Sequence, residues 1–307
     1  MISIVSPVYR AEKILPVLVS EIDKVMSKIG ESYEIILVDD RSPDNSWEVM
    51  KNLASENQNL KIFRLSRNFG QHPTIMAGLS KAKGDWIVVM DCDMQDQPKE
   101  IEKLYEKAKE GYDIVLGKRE VRNDNKRKKI GSKVFYRVFN YLTGMEVNSE
   151  VSNFGIYNKK VIESILQIPD YIKAFSLFVS WVGFNKVEIA VEHQRRFEGE
   201  SSYNMKKLLQ SAFNIIISFS DKPLKLFITV GAAVSTLSIL VGFFFLVQYL
   251  SGRGVEPGFT SLIVSIWFLS GIIISCLGVV GLYVGRTFNQ SKNRPVYIID
   301  EEISKTS

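Results

Sequence analysis

The chain has two cysteines and two histidines among its 307 residues. Cys92 lies beside an acidic cluster and Cys276 inside an apolar run, so no disulfide framework is available, which fits a reducing compartment. His72 and His193 join neither cysteine in a cluster, and zinc hydrolysis drops out of the candidate chemistries. Phosphate-binding glycine signatures are missing too. No Gly-x-x-x-x-Gly-Lys-[Ser/Thr] occurs, and no Gly-x-Gly-x-x-Gly follows the first strand-like run, which demotes P-loop phosphoryl transfer and dinucleotide redox chemistry. The opening "MISIVSPVY" lacks the basic start and the long apolar run of a signal peptide, so the first segment is expected to stay where it is made.

Charge is missing from two long stretches. Residues 226–250 and 257–285 carry none, and each exceeds the roughly 20 residues that cross a hydrocarbon core. Two transmembrane helices are expected, at about 226–250 and 259–284; a pair of buried core helices is the alternative. Gly231, Gly242, Gly271, Gly278 and Gly281 suit close helix packing in lipid. Lys222 and Lys225 precede the first stretch, and Arg286, Lys292 and Arg294 follow the second, whereas "SGRGVEPG" between them has one charge of each sign. The positive-inside tendency then puts both termini in the cytoplasm, with the chain in the inner membrane. The formal net charge of +5 suits anionic headgroups or phosphates without proving either.

What is present before residue 118 is an alternation. "ISIVSP", "YEIILVDD", "LKIFRLS", "DWIVVMD" and "DIVLGK" read as strands, with helical patterns at 12–29, 44–57, 71–82 and 98–110 between them. Continuous β-branched strands separated by helices argue for an α/β fold with a parallel sheet covered on both faces. Ligands of such sheets bind beyond the carboxyl ends of the strands. Polar residues cluster there: Ser6, Pro7 and Tyr9; Asp39 and Asp40; Arg67 and Asn68; Asp91 and Asp93; Lys118 and Arg119. Asp44, in "DDRSPDNS", reads equally well as a helix cap.

The run "VVMDCDMQDQPKE" brings Asp91, Asp93 and Asp96 together at a strand end, where mutual repulsion calls for a cation. On an extended segment Asp91 and Asp93 would project to one side, with Gln95 adding an amide oxygen. Such an oxygen-rich, open site suits Mg²⁺ or Mn²⁺, with substrate phosphates completing the shell. The cation would offset charge on a nucleoside diphosphate leaving a sugar. Residues 118–137 carry nine basic side chains against Glu120 and Asp124. Few aromatics interleave them, so phosphate binding or a solvated face is read there in preference to nucleic acid. Residues 204–221 space Leu208, Leu209, Ala212, Phe213, Ile216 and Phe219 as an amphipathic helix, read as interfacial or as packed on the domain's own core.

The segments "SPVYRAEKILP", "EIILVDDRSPDNS", "RLSRNFGQHPTIMAGLSKAKGDWIVVMDCDMQDQPKEI" and "RRFEGESSYNMKKL" resemble, in order and spacing, the family 2 glycosyltransferases that load sugars onto polyprenyl phosphates. The resemblance covers nearly the whole chain. It implies a GT-A fold, Rossmann-like with a mainly parallel sheet, at 1–203, then the interfacial helix at 204–223, the two spans within 224–286 and a cytoplasmic tail with a short strand at 287–307. It implies inverting transfer from a nucleotide sugar, usually a UDP-sugar, to undecaprenyl phosphate. By the same resemblance Pro7, Tyr9, Glu12, Asp39 and Asp91 meet the nucleotide, Asp91, Asp93 and Gln95 hold the metal, and Arg119, Arg127 and Ser132 face the phosphates. A phosphate monoester is mostly dianionic at neutral pH, so the acceptor needs little help from a general base.

Two departures stand out. Arg10, Ala11 and Glu12 replace the frequent Asn-Glu-Glu, and Asn153, Phe154 and Gly155 replace the frequent Asp-Phe-Arg. A processive polysaccharide synthase and a non-catalytic membrane scaffold on the same fold are the rival readings. The first would show Gln-x-x-Arg-Trp where this chain has "HQRRFEG". A homo-oligomer is expected because "RPVYIID" reads as a strand with no obvious partner in its own chain.

Overall fold

The computed structural model describes residues 1–119, 137–143, 151–170, 173–192, 216–217, 220–251 and 258–304. Two compact units divide the chain: 1–140, 145–202 and 294–307 form the first, and 141–144 with 203–293 the second.

The first unit is built on the alternation expected from the sequence. β1 (Ile2–Val8), α1 (Leu15–Ile29), β2 (Tyr33–Asp39), α2 (Ser46–Glu56), β3 (Leu60–Leu65), α3 (Gln71–Leu79), β4 (Trp86–Val89), α4 (Glu100–Lys109) and β5 (Ile114–Arg119) follow one another. After them come β6 (Val151–Asn158), α5 (Lys159–Leu166), α6 (Phe175–Trp181) and β7 (Lys186–Val191). The helices begin or end a few residues inside the expected ranges. The sheet has eight strands in the order β7-β5-β6-β4-β1-β2-β3-β8, with β8 at Ile299–Ile303. β1 pairs in parallel with β2 and β4, β2 with β3, and β5 with β7; β6 and β8 run against their neighbours. The sheet is therefore mixed, with parallel pairs at its centre.

Both faces of the central strands are apolar, as a sheet covered twice requires. Ile2, Ile4, Ile35 and Leu37 point into a core with Leu15, Leu18 and Ile22 of α1, Met50 of α2 and Leu104 of α4. The alternate residues Val5, Ile36 and Val38 meet α3, where a Cβ on Gly78 would lie 2.4 Å from Val5 Cγ1. Glycine is thus what lets this helix lie close on β1 and β2. Lys118 and Arg119 do not follow β5 but belong to it, Arg119 pairing in register with Val191, because the strand continues alongside β7.

β8 corrects one expectation. The strand has a partner in its own chain: it pairs antiparallel with β3, Ile303 opposite Ile62 and Glu301 opposite Arg64. Ion pairs follow from consecutive acids, Asp300 to Arg41 at 2.7 Å, Glu301 to Arg64 at 3.2 Å and Glu302 to Lys81 at 2.8 Å. Charge complementarity and two isoleucines seat the strand, and the unpaired-strand argument for a second copy falls away.

The second unit contains α7 (Lys222–Leu250) and α8 (Phe259–Ser291), both long and apolar enough to cross a membrane. Their apolar side chains are not in a core: Ile239 is 71 % exposed and Trp267 78 %. Within their own unit, therefore, these helices are not a buried core pair. Lys222 lies 4.3 Å over the ring centroid of Tyr141 and donates to its carbonyl, and the Tyr283 hydroxyl donates to the Ser220 carbonyl at 2.6 Å. Of the expected interfacial helix at 204–223, residues 216–217 and 220–223 are described: 216–217 are helical and 222–223 already belong to α7, and the rest lies outside the described residues.

Candidate active site

β1 to β4 run the same way, so the loops after Val8, Asp39, Leu65 and Val89 share one edge of the sheet. The chain moves from β1 outward to β2 and β3, then returns to place β4 on the other side of β1. This reversal is the topological switch point at which open α/β sheets bind ligands. Tyr9 and Asp91 flank it.

The β1 loop is held by the β2 loop. The backbone N–H groups of Arg10, Ala11 and Glu12 donate in turn to Ser42 Oγ at 3.1 Å, Ser46 Oγ at 2.9 Å and Asp44 Oδ2 at 3.5 Å. Glu12 Oε2 returns the contact, accepting from Asn45 N–H at 3.0 Å. Asp44 Oδ1 accepts both the amide and the hydroxyl of Ser46, at 3.2 and 2.6 Å, so Asp44 forms the turn that leads into α2, whose N-cap is Asn45. Glu12 thus works within this loop clamp. Pro7 is buried in β1 and Tyr9 is 43 % exposed under the Arg10 guanidinium.

Two successive aspartates end β2 and do different work. Asp40 accepts from the N–H groups of Phe69 and Gly70 at 2.7 and 2.9 Å, fixing the "RNFG" loop. Asp39 is fully buried; its Oδ1 accepts from Ser42 N–H at 3.0 Å, and its Oδ2 lies 3.2 Å from Arg64 Nε without hydrogen-bond alignment. Burial raises the pKa of Asp39 against the lowering effect of Ser42 and Arg64.

Past β4 the extended geometry expected for Asp91 and Asp93 is not found. The strand ends at Val89 and the chain turns at Cys92 and Asp93, with Met94 left-handed at φ 57°. The turn replaces alternation because Gln95 N–H folds back to Asp93 Oδ1 at 3.1 Å. Gln71, at the start of α3, donates to Asp91 Oδ1 at 2.7 Å. The Cys92 thiol between them is pushed up to about 12, by burial first and by the Asp91 charge second, and is no nucleophile at neutral pH. Among the described residues no three acidic, histidine or cysteine side chains converge, and the turn offers Asp91 and Asp93 as its carboxylate donors. That donor set fits a hard cation which takes its other ligands from a bound phosphate. The Gln71 amide is the kind of outer partner that orients a metal-binding carboxylate.

Of the residues expected to face phosphates, Arg119 is placed by its backbone alone, and Arg127 and Ser132 lie outside the described residues. Gln71 and Arg64 went unmarked in the sequence reading. Gln71 lies within the quoted "RNFGQH" stretch, but nothing in spacing pairs it with a carboxylate 20 residues away. Gly155 explains its own departure from the family pattern. In β6 a Cβ there would lie 2.7 Å from the Val115 carbonyl oxygen, so no arginine stands at this position without moving β5.

A glycosyl transferase family 2 model matches residues 3–166. An uncharacterized glycosyltransferase of Synechocystis is 34 % identical over 98 % of this chain and 95 % of its own. An undecaprenyl-phosphate 4-deoxy-4-formamido-L-arabinose transferase of Shewanella sediminis is 32 % identical over 98 % and 92 %, respectively. A bactoprenol glucosyl transferase of Shigella phage SfV is 32 % identical over 99 % of both chains. The mixed α/β sheet, with its acidic turn at the switch point, is the GT-A arrangement. By its matched residues and its relatives, this chain belongs to glycosyl transferase family 2.

Proposed function

We propose that the chain transfers a sugar from a nucleotide-sugar donor, a UDP-sugar by preference, to undecaprenyl or a related polyprenyl phosphate, with inversion at the anomeric carbon. One observation carries this reading: Asp39, with an unsatisfied buried oxygen, and the Asp91–Asp93 pair, with Asp91 oriented by Gln71, open on the same edge of the sheet. The first suits a nucleobase N–H and the second a diphosphate. The names of the Shewanella and phage relatives, which match this chain along nearly its whole length, support a polyprenyl phosphate acceptor. α7 and α8 support a membrane location for it, with Lys222, Lys225, Arg286 and Lys292 favouring a cytoplasmic site.

Asp91 and Asp93, with Gln95, would hold Mg²⁺ or Mn²⁺, which supplies charge compensation for the departing diphosphate. Asp39 and the clamped β1 loop hold and orient the nucleoside, with Tyr9 exposed at its rim. An acceptor phosphate oxygen bonds to the anomeric carbon while the bond to the donor diphosphate breaks, its electron pair leaving on the nucleoside diphosphate. No side chain needs to remove a proton from a phosphate dianion.

The test incubates detergent-solubilised protein with undecaprenyl phosphate, Mg²⁺ or Mn²⁺ and a panel of radiolabelled nucleotide sugars. Label should enter the organic phase for at least one donor and vanish with Asp93→Ala at an unchanged melting temperature. Long water-soluble product would favour a processive synthase, and no turnover of any donor a scaffold.

A further inference from the structure

The residues Asp39, Arg64 and Glu301 occupy one row across three adjacent strands. Register pairs Asp39 of β2 with Arg64 of β3, and Arg64 with Glu301 of β8. Partners in register share a face of the sheet, so one guanidinium serves two carboxylates. Its Nη1 donates to Glu301 Oε1 at 3.2 Å, while its Nε faces Asp39 Oδ2 at 3.2 Å out of hydrogen-bond alignment. The Trp47 ring lies beneath the guanidinium, 5.5 Å from its carbon. Arginine prefers to place two parallel N–H groups on one carboxylate. Here it is drawn outward and does not.

We propose that β8 is a positioning element of the donor site: Glu301 holds the Arg64 fork away from Asp39, keeping Asp39 Oδ2 available for the nucleobase N–H of a nucleoside diphosphate. The inference rests on the reading of Asp39 as the nucleobase contact. Without Glu301 the fork turns inward, closes a bidentate pair on Asp39 and competes with the ligand. The net electrostatics of the row support the assignment of roles. Asp39 is fully buried, whereas the Glu301 side chain is 45 % exposed and gains little from its own ion pair. A strand that served only to cover the sheet edge would not need a carboxylate in register with Arg64 and, through it, with the buried Asp39. The neighbouring acids, Asp300 and Glu302, form their ion pairs with Arg41 and Lys81 and not with Arg64. They are internal controls.

Titration calorimetry of the full-length protein with UDP, and separately with uridine, reads the effect. Glu301→Ala should raise the Kd for UDP about fivefold to tenfold, the net worth of one typical hydrogen bond, and raise that for uridine by the same factor. Glu302→Ala, which removes an equivalent ion pair from the same strand, should leave both within about twofold at an equal melting temperature. In an Arg64→Met background Glu301→Ala should have no further effect, since no fork remains to turn. In turnover the Glu301→Ala change should appear in the donor KM and spare kcat. Equal losses from Glu301→Ala and Glu302→Ala, or a wild-type Kd in Glu301→Ala, would overturn the positioning role alone. A wild-type protein that binds no nucleoside diphosphate would overturn it together with the donor assignment.

Discussion

Strand β2 begins and ends on a buried carboxylate, and the two are treated in opposite ways. At the amino end Glu34 accepts from Ser3 Oγ at 2.6 Å, Lys61 Nζ at 2.5 Å and Lys83 N–H at 2.7 Å. Burial opposes its ionisation, but Lys61, Ser3 and Lys83 together prevail and hold its carboxyl below the usual range. At the carboxyl end, five residues later, Asp39 has the hydroxyl and backbone N–H of Ser42 and a misaligned arginine, and burial prevails there instead. One end is closed structure, and the other leaves a carboxylate oxygen without an aligned donor. Under the proposed function, that contrast within five strand positions is what a group kept for a ligand requires.

The largest effect should come from the acidic turn after β4. Asp91→Ala or Asp93→Ala should lower transfer by at least about a thousandfold, the scale of losing an electrostatic anchor for a leaving group. Stability should move by less than about 0.5 kcal/mol, since neither side chain is part of the core. A large loss of stability with either variant would move the acidic turn to the structural side of the comparison.

Gly155→Arg comes next and restores the residue frequent in relatives. Its Cβ would press on the Val115 carbonyl and on Leu116, whose Cδ2 lies 3.1 Å away. The variant should lose about 2 to 3 kcal/mol in denaturant unfolding and gain no activity. Unimpaired stability would show that β5 and β6 can separate to receive a side chain.

Isosteric neutral substitutions at the two ends of β2 should shift stability in opposite directions. Glu34→Gln should cost on the order of 2 kcal/mol at pH 7, because the hydrogen bonds lost are to a charge. A carboxylate whose folded pKa is depressed contributes its stabilisation above its unfolded pKa, so the cost should fade as pH drops through the acid range. Asp39→Asn should instead raise the melting temperature at pH 7, since a carboxylate with a raised folded pKa destabilises the fold when ionised. That gain should disappear on acidification, as wild-type Asp39 takes up its proton. UDP affinity should fall in Asp39→Asn throughout. The same sign at both positions would erase the distinction between the two ends.

The sheet centre was legible because "ISIVSP", "YEIILVDD" and "DWIVVMD" are apolar on both alternating faces, a pattern that leaves a strand no place but between two helix layers. Asp39, Asp91 and Asp93 could be placed at the edge for the same reason: each follows such a run directly. What spacing could not show was side-chain pairing across distance. The partner of β8 is a strand more than 230 residues earlier, and only the match of Glu301 to Arg64 and Ile303 to Ile62 reveals it. Alternation likewise misplaced Asp93, because a left-handed Met94 turns the chain where an extended strand would have continued.

Arg10 should give the smallest effect and the finest test of how the donor edge is held. Its φ of 54° lies in the left-handed region, where asparagine is more at ease than arginine. The conformation is imposed by three successive N–H groups that reach across to Ser42, Ser46 and Asp44. Arg10→Asn keeps all three bonds and relieves the backbone, but gives up the guanidinium stacked 5.4 Å from the Tyr9 ring centroid. Backbone relief on the order of 1 kcal/mol set against about 0.5 kcal/mol of exposed cation–π contact predicts a small rise in denaturant midpoint. The freed Tyr9 ring should change UDP affinity by less than about threefold. A fall in midpoint would mean that the Tyr9 stack, more than the β2 loop, fixes the shape of the edge where the nucleoside binds.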